Sequence, residues 1–91
     1  MPHVIFSSTA AVYGNPTKTH IDEDTTLAPV SPYGESKVRA EKIVTDTGEG
    51  AYMSVILRFF NVAGADPSGR AGYKVTKNPT HLIRTAIQVA L

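Results

Sequence analysis

Cysteine and tryptophan are both missing from the 91 residues of this sequence. Without cysteine the chain forms no disulfide bond and no metal site built on thiolates, and we predict no metal centre. A surplus of one charge is missing as well, because nine Lys and Arg stand against eight Asp and Glu, giving a formal net charge of +1. This balance excludes the broad basic surface typical of nucleic-acid binding, so we predict no nucleic-acid partner.

Long apolar runs are also absent. No run approaches the ~20 residues that a membrane-spanning helix needs, and residues 1–7 lack the basic start and the long apolar stretch of a signal peptide. We therefore expect a soluble, cytoplasmic protein with no membrane partner. Hydrophobic residues make up 42% of the chain, which is ordinary for a globular protein and argues against wholesale disorder.

Two short apolar runs predict β-strands. Residues 3–7 are rich in β-branched side chains, and residues 53–60 are apolar almost without interruption, which is typical of a parallel strand buried on both faces. Residues 15–32 and 61–77 have no hydrophobic periodicity and contain prolines or glycines, so both are predicted to be loops. Loops of this length in compact domains are usually functional or disordered.

A helix is predicted between the two strands. Ser31 suits the N-cap and Pro32 the first helical position, so the helix is expected over residues 33–47. Gly48 and Gly50 are expected to end it. The side chains expected near one face are Ala40, Ile43 and Val44.

A second helix is predicted at the end of the sequence, opening at Asn78-Pro79. Its apolar positions form an amphipathic stripe made of Leu82, Ile83, Ala86, Ile87, Ala90 and Leu91. The order of strand, loop, helix, strand, loop and helix predicts an α/β fold with parallel strands. Because two helices cannot cover both faces of a parallel sheet, we expect this chain to be an internal piece of a larger α/β domain.

The first candidate for chemistry is the pair Tyr33 and Lys37. Positions four apart lie on one face of a helix, and an ammonium near a phenol favours the phenolate and so lowers the pKa of the tyrosine. Such a tyrosine takes a proton from an alcohol near neutral pH. The alternative is an exposed tyrosine beside a solvated lysine, and this alternative is favoured when the pair is considered alone.

Polar residues at the two strand ends are the next candidates. Thr9 follows the first strand and Asn61 the second, and ligands of open α/β sheets bind at the carboxyl ends of strands. The alternative is that both residues bond to nearby backbone, as Thr and Asn do in turns and caps. His81 stands alone near a helix start, where a capping or surface role is favoured over metal binding.

These three signals occur in the order found in one family. The matching segments are VIFSSTAAVYG (residues 4–14), SPYGESK (31–37), LRFFNVAGADPSG (57–69) and THLI (80–83). On these residues the sequence resembles the extended short-chain dehydrogenase/reductases, and within them the NAD-dependent nucleotide-sugar 4-epimerases. Ala10 and Ala11 stand where the related dehydratases usually carry Asp-Glu, and the loop after residue 63 also favours the epimerases.

The resemblance implies a Rossmann-like, doubly wound parallel sheet and tightly bound NAD. It implies interconversion of UDP-glucose and UDP-galactose by hydride transfer from C4 to NAD, rotation of the 4-keto sugar, and return of the hydride to the other face. Tyr33 would take the C4 hydroxyl proton, while Lys37 would lower the pKa of Tyr33 and bind the nicotinamide ribose. Thr9 would hydrogen-bond the C4 oxygen, and Phe60 would line the nicotinamide pocket.

Contacts to the UDP part are also implied by the resemblance, and a homodimer is implied for the parent protein. The residues concerned are Asn61, His81 and Leu82, although His81 stands where relatives often have Asn. The glycine-rich Gly-x-x-Gly-x-x-Gly motif of the family does not occur in the 91 residues, and most of the substrate-binding part has no counterpart. We therefore predict that the isolated chain binds NAD poorly and turns over no substrate. The alternatives are another nucleotide-sugar epimerase or reductase, and a non-catalytic remnant that only associates with other chains.

Overall fold

The computed structural model describes residues 1–72, 74 and 80–91. These residues form the strands β1 (His3–Thr9) and β2 (Met53–Phe59) and the helices α1 (Pro32–Gly48) and α2 (Leu82–Ala90). A single turn of 3₁₀ helix, Ala10–Tyr13, follows β1. Two compact units result, Met1–Phe60 and Asn61–Leu91.

The strands of the first unit pair in parallel. Their register runs from His3 opposite Met53 to Thr9 opposite Phe59, so the carboxyl ends of the two strands lie side by side. Helix α1 connects them, as a parallel pair requires a crossover connection. The predicted α/β class and the parallel pairing are therefore confirmed.

The start of α1 follows from local chemistry, as predicted. The Ser31 hydroxyl accepts a hydrogen bond from the Gly34 amide at 3.0 Å, and Pro32 occupies the first turn. At the other end the helix includes Gly48, and Gly50 takes a left-handed φ of 76° in the turn that follows. Glycine suits that turn because it carries no Cβ.

The three side chains predicted near one face of α1 differ in exposure. Ala40 and Val44 are half-buried, whereas Ile43 is 62% exposed. The buried positions are Gly34, Glu41 and Gly48, which recur every seven residues and therefore lie along one side of the helix. The side of α1 packed most closely on the rest of the first unit thus carries two glycines and a paired carboxylate.

Helix α1 covers one face of the strand pair. On β1 the side chains of Val4, Phe6 and Ser8 are half-buried or buried, in the alternation expected of a strand. The opposite face is exposed in the described residues. Its apolar side chains are Ile5, Met53, Val55, Leu57 and Phe59. On β2, Ile56 and Arg58 are half-buried and the other residues are exposed, so the predicted burial on both faces is not what these residues show.

The segment between the 3₁₀ helix and α1 is an irregular loop, as predicted, and it is fixed at two points. Thr25 is buried, and its hydroxyl donates to the Asp22 carboxylate at 2.9 Å and accepts from the Asp22 amide at 3.0 Å. The Ala28 amide donates to the Val12 carbonyl at 3.0 Å. The hydrogen bond from Thr25 is the main reason that the pKa of Asp22 is lowered.

In the second unit, residues 61–72 are irregular and α2 is the helix among the described residues. The apolar stripe of residues 82–91 is helical as predicted, but the predicted helix start at Asn78-Pro79 lies outside the described residues. None of the side chains of α2 is buried. In the part of the chain that the structure describes, no helix has the length and apolar character needed to cross a membrane.

Candidate active site

Thr9 closes β1 and performs the capping role that was the alternative to a ligand contact. Its Oγ1 accepts a hydrogen bond from the Ala11 amide at 3.2 Å, which caps the 3₁₀ helix. A threonine hydroxyl also has one hydrogen to donate, and this donation is compatible with the cap. Thr9 is half-buried, so the capped hydroxyl is held in place at the strand end.

Tyr33 and Lys37 lie one turn apart on α1, beside the carboxyl-terminal half of β1. The Lys37 Nζ donates to the Ser7 carbonyl at 3.0 Å. The same nitrogen lies 5.0 Å from the ring centroid of Phe6 and 5.9 Å from that of Tyr33. Both distances are within the range of cation–π attraction. The structure therefore brings the predicted lysine to the predicted tyrosine, and the lysine is bonded to β1.

Access to the phenol is open. The Tyr33 residue is 57% exposed, so a ligand can reach the ring from solvent. The lysine is half-buried between the strand and the tyrosine. The arrangement thus places a fixed ammonium beside a phenol that a ligand can reach.

Gly34 explains how α1 comes so close to the strand end. A Cβ at this position would lie 2.7 Å from the Ala11 carbonyl oxygen and 3.0 Å from the Cβ of Pro29. The first turn of α1 thus packs directly on the backbone of the 3₁₀ helix that begins after Thr9. Only glycine leaves room for this contact, so the spacing between the helix with Tyr33 and the strand end with Thr9 is set by backbone atoms.

Phe60 follows β2 and stacks on Tyr13, with 6.5 Å between ring centroids and 26° between ring planes. The Phe60 residue is 63% exposed. An open cleft of about 520 Å³ adjoins it. The cleft is lined by Tyr13, Ile21, Asp22, Glu23 and residues 56–60. Of the predicted site residues it includes Phe60, whereas Thr9, Tyr33 and Lys37 lie outside it.

The remaining predicted site residues belong to the second unit. Asn61 and Leu82 are exposed. His81 is the N-cap of α2, and its carbonyl oxygen accepts from the Thr85 amide at 2.9 Å. His81 therefore stands at the helix start as anticipated, but its side chain makes no capping hydrogen bond, and the contacts of these three residues to UDP stay predictions. Within the described residues, no group of three or more His, Cys, Asp and Glu side chains is placed to hold a metal ion.

Sequence reasoning missed a buried polar cluster formed by Ser8, Tyr13, Glu41 and Arg58, which we name the Glu41 cluster. The Glu41 carboxylate accepts from Arg58 Nη2 at 2.8 Å and from Arg58 Nε at 3.1 Å, and it also accepts from the Ser8 hydroxyl. Arg58 Nη1 donates to the Tyr13 hydroxyl at 3.0 Å. The signal available in the sequence was Arg58 itself, because a charge inside an apolar strand needs a partner.

The protonation state of the Glu41 cluster follows from these contacts. Burial alone would raise the pKa of Glu41, but hydrogen bonds from Arg58 and Ser8 and the charge of Arg58 outweigh burial, so the pKa is lowered. The hydrogen bonds to Glu41 raise the pKa of Arg58 despite its burial. The pair is therefore ionised at neutral pH. Among the described residues, no buried side-chain nitrogen or oxygen lacks a hydrogen-bond partner.

A parallel strand pair joined by a helix is the βαβ unit from which Rossmann-like folds are built, and here Tyr33 and Lys37 of that helix lie beside the carboxyl-terminal half of β1. A crystal structure of a UDP-glucose 4-epimerase matches with a TM-score of 0.71 and 42% identity over 97% of this chain and 27% of that one. The chain belongs to the NAD dependent epimerase/dehydratase family, whose model matches residues 1–91. The resemblance seen in the sequence is thereby confirmed.

Individual relatives are similar over most of this chain. A UDP-glucose 4-epimerase of Azospirillum brasilense is 53% identical over 89 residues, covering 97% of this chain and 25% of the relative. A putative UDP-arabinose 4-epimerase 2 of Arabidopsis thaliana is 50% identical over 70 residues, covering 76% of this chain and 17% of the relative. A UDP-glucose 4-epimerase from Brucella ovis, solved in complex with NAD, matches with a TM-score of 0.71 and 40% identity, covering 97% of this chain and 27% of that one. The chain thus spans about a quarter of the length of the UDP-glucose 4-epimerases that it matches.

Proposed function

We propose that these residues supply the proton-transfer centre of an NAD-dependent UDP-sugar 4-epimerase that interconverts UDP-glucose and UDP-galactose. The observation that carries the proposal is the position of Lys37, which bonds to the Ser7 carbonyl and lies 5.9 Å from the ring of Tyr33 at the carboxyl end of β1. Similarity to UDP-glucose 4-epimerases over nearly the whole chain supports it.

The residues present fit the nicotinamide ribose of NAD. An ammonium has three N–H donors, and one of those on Lys37 is directed to Ser7, which leaves donors for ribose hydroxyls. The exposed phenol of Tyr33 adds a further polar contact on the same side. When bound, NAD supplies the acceptor for the two-electron oxidation of the sugar at C4 and returns the two electrons afterwards. These 91 residues contain no glycine-rich loop that would bind the pyrophosphate of NAD.

The proton of the C4 hydroxyl is the part of the reaction that this chain handles. Tyr33 is the base that takes this proton, and the ammonium of Lys37 stabilises the negative charge on the phenol oxygen. Thr9 donates its hydroxyl hydrogen to the C4 oxygen, while its cap to Ala11 keeps the hydroxyl oriented. The same groups act in reverse when the sugar is reduced from its other face.

The remaining proposed contacts concern the nucleotide ends. The exposed ring of Phe60, held by its stacking on Tyr13, lines the nicotinamide site. Contacts to UDP are proposed for Asn61, His81 and Leu82. Because these 91 residues include no glycine-rich loop, we expect that the isolated chain binds NAD weakly and shows no turnover.

The proposal is tested in a chimeric enzyme. Residues 1–91 replace the homologous segment of the Azospirillum brasilense UDP-glucose 4-epimerase, to which 89 residues align at 53% identity. We name this protein the chimera. Its turnover of UDP-galactose is measured by coupling UDP-glucose formation to UDP-glucose dehydrogenase, and its NAD content is measured after denaturation. We expect NAD to be retained and UDP-glucose to form.

The substrate is tested in the same protein. UDP-arabinose is offered beside UDP-galactose, because the second candidate function is a UDP-arabinose 4-epimerase, favoured by the 50% identity to the Arabidopsis relative. Loss of turnover of both sugars in a folded chimera that retains NAD would contradict the proposed function. Because the rest of the sugar site comes from the Azospirillum enzyme, a preference for UDP-arabinose could come only from residues 1–91, and it would replace the proposed substrate.

A further inference from the structure

The Glu41 cluster joins five segments of the first unit. Ser8 belongs to β1, Tyr13 to the 3₁₀ helix, Glu41 to α1 and Arg58 to β2. Arg58 Nη1 also donates to the carbonyl of Glu23 in the long loop at 3.2 Å. A single carboxylate and a single guanidinium therefore connect the two strands, helix α1, the 3₁₀ helix and the long loop that follows it.

The chemistry of the Glu41 cluster favours geometry over stability. Ser8 and Glu41 are each only 4% exposed, and burying charges has a desolvation cost that a well-packed apolar set avoids. A carboxylate that accepts from two nitrogens of one guanidinium is, however, restricted in direction as well as in distance. Apolar side chains in the same places would hold the elements together without fixing their rotation.

The position of Glu41 makes that restriction relevant to the candidate active site. Tyr33, Lys37 and Glu41 are spaced at four residues on α1, so they lie on neighbouring positions of one face. A helix is stiff over two turns, and Glu41 lies about 12 Å along the axis from Tyr33. A rotation or slide of α1 at Glu41 is therefore carried to the tyrosine and the lysine.

The β1 residue of the Glu41 cluster is adjacent in sequence to the candidate active site. Ser8, which donates to Glu41, is the residue immediately before Thr9, and Ser7 accepts from Lys37. The same three consecutive strand residues thus contact the Glu41 cluster, the lysine and the proposed substrate. An exposed ion pair on the same helix, Glu35 with Arg39, has no contact of this kind and holds only neighbouring turns together.

We propose that Glu41 and Arg58 are positioning residues that set the rotation of α1 on β1, and thereby the placement of Tyr33 and Lys37 relative to Thr9. This inference rests on the proposed function for its consequence in catalysis. Its geometric part concerns this chain alone, and it can be tested without turnover.

The geometric part is measured by NMR on the 91-residue chain. Nuclear Overhauser contacts from the Lys37 ε-methylene to the rings of Phe6 and Tyr33 report the placement seen in the structure. We expect Glu41→Gln to weaken these contacts at least twofold and Glu35→Gln to leave them unchanged. The double variant Glu41→Leu/Arg58→Met removes both charges while keeping apolar volume, so no unpaired charge is left buried, and it should lose the same contacts while circular dichroism shows it to be folded.

The catalytic part is measured in the chimera. We expect Glu41→Gln and the double variant to lower kcat at least tenfold, with KM for UDP-galactose within twofold of the parent, at a temperature where circular dichroism shows both to be folded. Glu35→Gln should change neither constant. A purely structural role would lower the melting temperature without this division between kcat and KM.

The outcomes separate the inference from the proposed function. An inactive parent chimera contradicts the proposed function, and the NMR contacts then decide the positioning role by themselves. An active parent whose folded Glu41→Gln and double variants keep both kcat and the Lys37 contacts overturns the inference. If Glu41→Gln unfolds, the double variant alone decides in the same way.

Discussion

Replacing Gly34 by alanine tests how the first turn of α1 is seated. Alanine normally favours a helix over glycine by up to about 1 kcal/mol. Here the new Cβ would lie 2.7 Å from the carbonyl oxygen of Ala11 and 3.0 Å from the Cβ of Pro29. Because the nearer contact is backbone, relief requires the helix to move, and overpacking of this kind costs about 1–3 kcal/mol. The clash outweighs the propensity, and we expect Gly34→Ala to lower the free energy of unfolding by about 1–2 kcal/mol.

That loss is large for a small domain. At about 0.05–0.15 kcal/mol per residue, a domain of this length has about 5–14 kcal/mol in total. The assay is urea denaturation of the 91-residue chain followed by circular dichroism, with Arg39→Ala on the exposed side of the same helix as the matched control. The control should change the free energy of unfolding by less than about 1 kcal/mol. A Gly34→Ala chain as stable as the parent, or more stable, would refute the close backbone contact.

Three further predictions concern charge. Because the pKa of Glu41 is lowered from its ordinary value of 4.5, the unfolded chain binds its proton more readily than the folded chain; the stabilisation is present above that value and is lost as the pH falls through the lowered pKa. Urea denaturation between pH 6 and 3 should show this decrease. At pH 7, Glu41→Gln should lower the free energy of unfolding by about 3–5 kcal/mol. A pH dependence of stability that this substitution leaves unchanged would contradict the assignment. Glu35→Gln should cost less than about 1 kcal/mol in the same assay, since its ion pair with Arg39 is exposed, and a larger loss would show a tertiary role. Lys37→Met should lower kcat of the chimera about 10²-fold or more, measured with UDP-galactose at equal NAD content, and a change below threefold would remove the lysine from the proposed mechanism.

The parts of the fold that depend on local chemistry were predictable from the sequence. Ser31 and Pro32 mark the start of α1 because capping and the proline ring act within one turn. The two strands follow from apolar β-branched runs, and their parallel pairing follows from the helix between them. Spacing alone was sufficient to place Tyr33 and Lys37 on neighbouring positions of one helix face.

The parts that depend on distant contacts were not predictable in the same way. Glu41 and Arg58 are 17 residues apart, and Ser8 is 33 residues from Glu41. These side chains come together only because of the way the helix is rotated on the sheet, and the spacing of apolar residues in the sequence does not predict that rotation. The same rotation leaves Ile43 exposed while Glu41 is buried against the strands.

The measurement closest to the central claim is the turnover of the chimera carrying Tyr33→Phe. The substitution removes one hydroxyl from a largely exposed side chain, so the fold should be unchanged, and because the phenol is also a proposed contact to the nicotinamide ribose, turnover is compared at equal NAD content. General acid–base catalysis contributes about 10²–10⁴-fold, and we expect kcat for UDP-galactose to fall by that factor relative to the parent chimera. A Tyr33→Phe chimera that turns over UDP-galactose at the rate of its parent would contradict the assignment of this chain as the proton-transfer centre.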